Sequence, residues 1–569
     1  MHSKIKELTN RKRDIRTDSG CIKDKDGNLL FERNSIAIRW TEYIKTLYSD
    51  ETRPPPKDII NPEGPEILIE EVTKAIRNLK EKKAPGEDGI TGEQLKALDE
   101  EALKVLTKLL NNIYSTGVIP KDLKQSVFVK IPKKPKAVEC TEYRTICLMS
   151  HVTKILLRII MDRNETIFER EISKGQTGFR SGRGTREGIF NIRAVLEKMI
   201  AIDQDVYICF IDYQKAFDRV YHTKIIEFLG YTEMDTKDLR VIQNLYWEQK
   251  AVVRLQEGNS EEFSIERGVR QGCVLSPKLF NMYTEPIFRA IEGLQGLSIG
   301  GENINNFRYA DDTALVADSA ARLQEIVNVV KERSEELGLY MNVSKTKSMR
   351  VNKAGEERKV QTVVDGQDLD QVRDFKYLGQ LITDDGKCDK EIKRRIAIAR
   401  SSLINMKDVI TTRKLTLNTR KRLVRCYILS TLLYASETWV MGAEMEDRIR
   451  SLEMWIYRRM MRISYKDHIS NESILVGLNE KPKLMKLIKE RKCRYFGHIV
   501  RGEGYKYQRL LMEGQANGKR GRGRPKTTWF KNISKWMKID YFTATRYAQD
   551  RDRWRSMVSE VQDGHGTND

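Results

Sequence analysis

This sequence lacks several features that would assign a chain to a special class. No apolar run approaches the roughly 18–20 residues that a membrane span needs, which excludes an integral membrane protein. The N-terminus, MHSKIKELTNRKRDIR, carries charge with no apolar stretch behind it, which excludes a secretory signal. The eight cysteines (Cys21, Cys140, Cys147, Cys209, Cys273, Cys388, Cys426 and Cys493) contain no C-x-x-C pair. That argues against zinc fingers and for reduced thiols in an intracellular protein, nuclear or cytoplasmic. No fixed-period repeat is present, so solenoids and arrays are also excluded.

What is there is basic and globular. Of 569 residues, 40% are hydrophobic and 32% charged, a balance that folds rather than one that stays disordered. At roughly 150 residues per domain the length corresponds to about three or four structural units. The 102 Lys and Arg against 81 Asp and Glu leave +21, which favours a polyanionic partner. The excess is concentrated: residues 481–531 hold 16 Lys or Arg against Glu490, Glu503 and Glu513, a local +13. Within that stretch lie Lys519, Arg520, Arg522, Arg524 and Lys526, with glycines between the arginines. Arg522-Gly-Arg-Pro525 has the composition of an AT-hook, whose arginines read the narrow minor groove of A·T-rich DNA. A nuclear-import signal or a solvated loop fits the same residues.

The periodicity predicts an opening hairpin over Cys21–Phe31, a helix through Ile36–Leu47 and a linker at Arg53-Pro-Pro-Pro56. Helices are expected at Ile69–Lys82, Glu93–Thr116, Val152–Phe168 and Thr236–Lys250, and after Pro277. Strands are expected at Ser126–Ile131, Val206–Ile211, Phe307–Tyr309 and Ala314–Ala317, with a hairpin at Ala251–Ile265. Residues 387–465 read as almost all helix. The fold class is therefore α+β followed by an all-α segment and a basic C-terminal module.

Carboxylates carry the strongest local signal. In Phe307-Arg-Tyr-Ala-Asp311-Asp312-Thr-Ala-Leu-Val-Ala-Asp318, apolar residues flank two adjacent aspartates, as at the tip of a hairpin. Like charges held this close raise each other's pKa unless a cation neutralises them, and hard oxygen ligands suit Mg²⁺. Asp212 ends a second apolar strand, where a charge is costly unless paired or metal-bound. If the two strands are neighbours, Asp212, Asp311 and Asp312 would hold two Mg²⁺ ions roughly 3.5–4 Å apart, the geometry of phosphoryl transfer.

At this point nine segments in order resemble the reverse transcriptases of non-LTR (LINE-like) retrotransposons, over roughly residues 20–530. They are KAPGEDGI (83–90), SVFVKIPKK (126–134), YRTICLM (143–149), QTGFRSGRGTREGI (176–189), FIDYQKAFDRV (210–220), RGVRQGCVLSP (267–277), FRYADDTALVADS (307–319), GLYMNVSKTKSM (338–349) and FKYLGQLIT (375–383). The resemblance implies a right-hand polymerase and RNA-directed DNA synthesis from RNA template, DNA primer and dNTPs. The cofactor it implies is a pair of Mg²⁺ ions, with Mn²⁺ as the alternative. Its implied domains are a connector (1–60), fingers and palm (61–385), a helical thumb (386–480) and a nucleic-acid-binding module (481–569).

The resemblance also implies residue roles. Asp212, Asp311 and Asp312 match the catalytic triad, with the Ile211 carbonyl as a further metal ligand. Phe217 matches the aromatic residue that crowds the sugar 2′ position. Arg144 and, more weakly, Lys130 match contacts to the triphosphate, and Gln271 and Gly272 match the loop against nucleotide and template. Lys345 matches the lysine that protonates departing pyrophosphate. Tyr377, Leu378 and Gly379 resemble the primer grip. Asp218 reads as a helix cap, with a ribose-reading role as the alternative.

One departure is Thr145, where the family shows proline, which is expected to loosen a fingers turn. No zinc knuckle, RNase H set or endonuclease segment is recognisable in the 569 residues, and Cys493 and His498 read as an isolated pair. On that basis the chain is expected to be a truncated or domesticated copy, dependent on another source of nicking. The alternative to an active polymerase is a silent, nucleic-acid-binding remnant.

Overall fold

A computed structural model describes residues 20–255, 258–353, 360–518 and 527–561. Its centre is a five-stranded sheet in the order 306–309, 312–317, 206–211, 347–351, 370–371. The middle strand, Val206–Ile211, is apolar throughout, as a strand covered on both faces must be. Its side chains alternate between two cores. Cys209 and Ile211 join Leu315 and Ala317 on one face. Ile208 and Phe210 join Ala314, Val316 and Met349 on the other. Helices Ser276–Arg289 and Ala320–Glu336 cover the first face through Leu279, Phe280, Tyr283, Leu323 and Ile326. Helix Thr185–Ala201 covers the second through Ile189, Ile192, Val195 and Met199. The expected neighbour relation holds: Val206–Ile211 and Asp312–Ala317 pair antiparallel.

A second sheet, in the order 143–149, 125–132, 250–253, 263–264, stands beside the first. The opening hairpin (Ile22–Lys23 with Leu29–Leu30) and helix Arg33–Tyr48 fall where the pattern put them. That segment packs into the main core through Trp40, Ile44, Leu47 and Tyr48 rather than standing off as an extension. A helical core follows from Ile392 to Ile456. Helix Leu484–Arg501 belongs to two cores: Leu484, Met485 and Ile488 to this helical one, and Cys493, Phe496 and Ile499 to a C-terminal one built around Trp529 and Trp554. The basic region is thus folded on aromatic side chains through its described residues. No helix among the described residues is long and apolar enough to cross a membrane.

Two expected helices are each divided. Asp99 caps a new helix at Glu100 by accepting from Ala102 N at 2.9 Å, so Glu93–Thr116 becomes Gly92–Lys96 and Glu100–Thr116. Asn164 separates His151–Arg163 from Glu165–Glu171 and donates to Asp238 at 2.6 Å. Thr145 lies inside the Tyr143–Met149 strand, opposite Lys130, and not in a turn. Its branched side chain suits that place, so the absent proline loosens nothing there.

Candidate active site

Register brings the aspartates together. Tyr309 pairs with Asp312, leaving Ala310-Asp311 as a two-residue turn with Ala310 at φ 56°. A left-handed first turn residue matches the twist of a tight hairpin. Thr313 pairs with Ile211, so Asp312 and Asp212 sit at adjoining ends of neighbouring strands. Burial, then the Asp212 charge, pushes the Asp311 carboxyl above its ordinary range. Asp312 sits at the solvent rim but is crowded on its inner side. Desolvation, then Asp311 and Asp212, raises it to about 6. The 338–349 segment wraps Asp212: Asn342 N donates to its carbonyl at 2.7 Å, and Lys345 Nζ lies 3.5 Å from Oδ2.

The hairpin rests on the 176–180 loop. Gln176 Oε1 accepts from Ala310 N at 3.0 Å and from Gly178 N at 2.8 Å. Thr177 donates both its N–H and its hydroxyl to the Arg308 carbonyl at 2.9 Å. A Cβ on Gly178 would lie 2.5 Å from Ala310 N, so only glycine permits this approach.

Beside the carboxylates, Phe217 stacks on Phe280 at 4.2 Å with rings 13° apart, and Phe179 meets its edge at 6.4 Å. Gln271 donates its amide to Asp218 at 3.2 Å, and its carbonyl accepts from Cys147 N at 2.9 Å. Gly272 has φ 118°, and a Cβ there would lie 2.9 Å from Cys147 O. Arg144 is exposed at the strand end opposite Ile131, and its charge lowers the pKa of Asp311. Lys130 lies elsewhere, 5.2 Å over the Trp40 ring. Lys133 is the lysine on the aspartate side. Burial pulls its pKa down, Lys345 and Arg144 add to this, and Asp218 and Asp212 oppose it.

Tyr377, Leu378 and Gly379 form the tip of the Asp374–Tyr377/Gln380–Thr383 hairpin, with Leu378 at φ 47° and Gly379 at φ 78°. Tyr434 donates to the Leu378 carbonyl at 2.9 Å and Arg394 to that of Gly379 at 2.8 Å. The buried Tyr377 ring lies 5.8 Å from that of Phe210 and feels the Asp312 charge, placing this tip next to the carboxylates.

Residues 131–382 match the family described as "Reverse transcriptase (RNA-dependent DNA polymerase)". The chain carries a reverse transcriptase domain. Its relatives include the "RNA-directed DNA polymerase from mobile element jockey" of Drosophila funebris, 27% identical over 75% of this chain and 47% of that protein. Another is the "Retrovirus-related Pol polyprotein from type-1 retrotransposable element R2" of Nasonia vitripennis, 27% identical over 52% of this chain and 29% of that one. The chain thus spans less than half the length of these relatives. Among solved structures, telomerase from Candida tropicalis in complex with a fragment of telomeric RNA is alike at TM-score 0.37 and 12% identity, over 73% of this chain and 69% of that one.

The five-stranded sheet of the α+β fold lies within the matched residues and carries the three aspartates. Among the described residues, no group of three or more His, Cys, Asp or Glu is already closed around a metal position. The three aspartates are drawn together in register and in charge, while Asp212 faces Lys345. Asp218 does not cap a helix. The next helix starts at His222 behind Tyr221 with no side-chain cap, and the Asp218 carboxylate accepts from Tyr48 and Gln271 instead. Lys133, Gln176, Phe179 and Tyr48 are the site residues that sequence reasoning missed. Three of them stood in quoted segments, and Tyr48 lies outside the reverse transcriptase domain altogether. Lys519, Arg520, Arg522, Arg524 and Lys526 lie outside the described residues.

Proposed function

We propose that this chain is an RNA-directed DNA polymerase of a non-LTR retrotransposon, extending a DNA primer on an RNA template with dNTPs. The observation that carries the reading is the convergence of Asp212, Asp311 and Asp312 at adjoining strand ends inside the matched domain. Residues 61–385 serve as fingers and palm, 386–480 as thumb, and the basic 481–569 region as a nucleic-acid clamp, with residues 20–48 packed into the fingers core.

The donor set fits divalent metal. Burial first, and then the charges of neighbouring carboxylates, raise Asp311 and Asp312, and a cation held by these three hard carboxylates would offset both costs. Asp212, Asp311, Asp312 and the Ile211 carbonyl would hold two Mg²⁺ ions, which supply charge neutralisation for the attacking and leaving oxygens. Phe217, fixed against Phe280, excludes a 2′-hydroxyl. Arg144, with Lys133 near it, faces the triphosphate, and Lys345 gives its proton to the leaving pyrophosphate. Gln271 and Gly272 line the nucleotide and template, and the 377–379 tip holds the primer end.

Primer extension on primed RNA tests the proposal. The wild-type chain makes cDNA, and Asp311→Ala or Asp312→Ala lowers the rate by about 10³-fold or more, the scale of removing a transition-state charge stabiliser. Synthesis unchanged in both variants would overturn the assignment.

A further inference from the structure

Helix Arg33–Tyr48 lies outside the matched residues, yet its last residue reaches the nucleotide side of the site. Tyr48 is buried and its ring stacks on Phe128 at 5.4 Å. Its hydroxyl donates to Asp218 Oδ1 at 2.7 Å, and Gln271 Nε2 donates to the same oxygen at 3.2 Å. Asp218 is only 6% exposed. A carboxylate at that depth is costly unless it is hydrogen-bonded, and these two donors come from two different segments.

Backbone contacts tie the same three segments together. Glu266 N and Arg267 N donate to the Tyr48 carbonyl at 2.9 and 3.2 Å, and Arg267 Nε donates to that of Leu47 at 2.9 Å. These donors satisfy carbonyls that the helix end leaves open. Gly268 N donates to Val220 O at 2.7 Å and Val269 N to Phe217 O at 2.8 Å. Gly268 has φ 86°, and a Cβ there would lie 2.8 Å from both the Tyr48 ring and the Asp218 carbonyl. The helix end, the 216–220 turn and the 266–271 loop are therefore one buried knot. Phe217 is the neighbour of Asp218 in the chain, and Gln271 is one of its two donors.

We infer that Tyr48 and Asp218 are positioning residues for nucleotide selection, holding the Phe217 ring and the Gln271 amide where they meet the incoming sugar and base. The inference rests on the polymerase reading and adds to it a part supplied by the N-terminal helix. Tyr48 touches no substrate and acts through Asp218. Loss of its hydroxyl leaves the carboxylate under-satisfied, so the 216–220 turn shifts and the gate loosens while the metal-binding aspartates keep their strands.

The test uses the full chain on primed RNA, with dNTPs and rNTPs as separate substrates. For Tyr48→Phe, KM for dNTP rises and discrimination against rNTP falls, each by about tenfold, while kcat stays within about twofold. Asp218→Asn keeps an oxygen that both donors can reach and stays near wild type, whereas Asp218→Leu reproduces the Tyr48→Phe defect. Thermal unfolding of each variant separates this pattern from a loss of folded protein. Tyr48→Phe with wild-type KM and wild-type discrimination overturns this inference alone, as does a drop in kcat that tracks the unfolded fraction. A wild-type chain that incorporates nothing overturns the polymerase reading and this inference with it.

Discussion

Glu285→Ala removes the counter-ion of a guanidinium that has no route to water. Arg308 and Glu285 are 1% and 2% exposed, and Arg308 Nη2 lies 3.1 Å from Glu285 Oε2. The guanidinium also lies 4.0 Å over the Phe288 ring. Burial pulls the Arg308 pKa down and the Glu285 charge opposes it, so the carboxylate is what keeps the cation tolerable. Glu285 Oε1 also accepts from Ser173 N at 3.0 Å, tying down the chain just before the loop under the Asp311–Asp312 hairpin. Removing one partner of a buried pair costs about 3–5 kcal/mol, and the orphaned Ser173 N–H adds about 1 kcal/mol. Against a typical domain stability of about 5–15 kcal/mol, that is a large share. Urea unfolding followed by tryptophan fluorescence measures it. The double variant Glu285→Leu with Arg308→Met, which removes both charges, should recover most of the loss, since apolar replacement of a buried pair is often neutral. A loss in Glu285→Ala below about 1 kcal/mol, the level of an exposed pair, would refute the reasoning.

Two further outcomes follow from close contacts elsewhere. Gly178→Ala places a methyl 2.5 Å from Ala310 N and 2.9 Å from Tyr309 C, both backbone atoms at the Ala310-Asp311 turn. The turn must move, so cDNA synthesis falls by about 10²-fold while stability drops only about 1–3 kcal/mol; normal synthesis would show that the turn is not held by this loop. Glu197, half-buried and accepting from Trp529 N at 2.6 Å, is raised by desolvation from 4.5 to about 7. The folded state keeps a proton there that the unfolded chain has released, so stability falls as pH rises through that window and levels off above it. Lys492, pulled by burial to about 7, is protonated in both states below that pH and adds no slope there. Glu197→Gln should abolish a decline of about 2–3 kcal/mol between pH 5 and 7, read from urea midpoints at each pH, and parallel curves for variant and wild type would contradict it.

The parts legible in the sequence were those where a local pattern and the tertiary environment agree. Val206–Ile211 is a strand with the bounds its apolar run suggests, because both of its faces are covered. Helix Thr185–Ala201 escaped notice because it is enclosed nearly all round, with Glu187, Asn191 and Arg193 buried beside Ile189, Phe190 and Ile192. An element without a polar stripe shows little amphipathic period. Lys130 and Lys133 are three residues apart, and which of them faces the carboxylates depends on side-chain alternation and on where the strand ends at Pro132. The charge of 481–531 was plain but the fold of its described residues was not, since Lys489 and Lys492 share helix Leu484–Arg501 with Tyr495 and Phe496, which form a core with Trp529 and Trp554. Asp218 looked like a cap because the next helix is close, and its true partner is 170 residues away.

The charges around the aspartates differ in how firmly they are held, and that difference bears on how the proposed site would fill. Lys345 and Asp212 are 67% and 42% exposed, so their contact belongs to the class of surface pairs worth about 0–1 kcal/mol. The strain at Asp312 is of another kind, because desolvation and two neighbouring carboxylates raise it together. Lys345 lies against Asp212 and the Arg144 charge eases Asp311, whereas Asp312 is raised by burial and by both carboxylates, so a proton or a further cation is what relieves it. A divalent ion shared by the three carboxylates would relieve that strain and displace only a weak exposed pair. The lysine so released stays on the 338–349 segment, whose backbone is still anchored to the Asp212 carbonyl through Asn342. In the proposed polymerase, Lys345 would thereby stay near the phosphates that the carboxylates and a bound metal would hold, which is where a proton donor to a leaving pyrophosphate is needed.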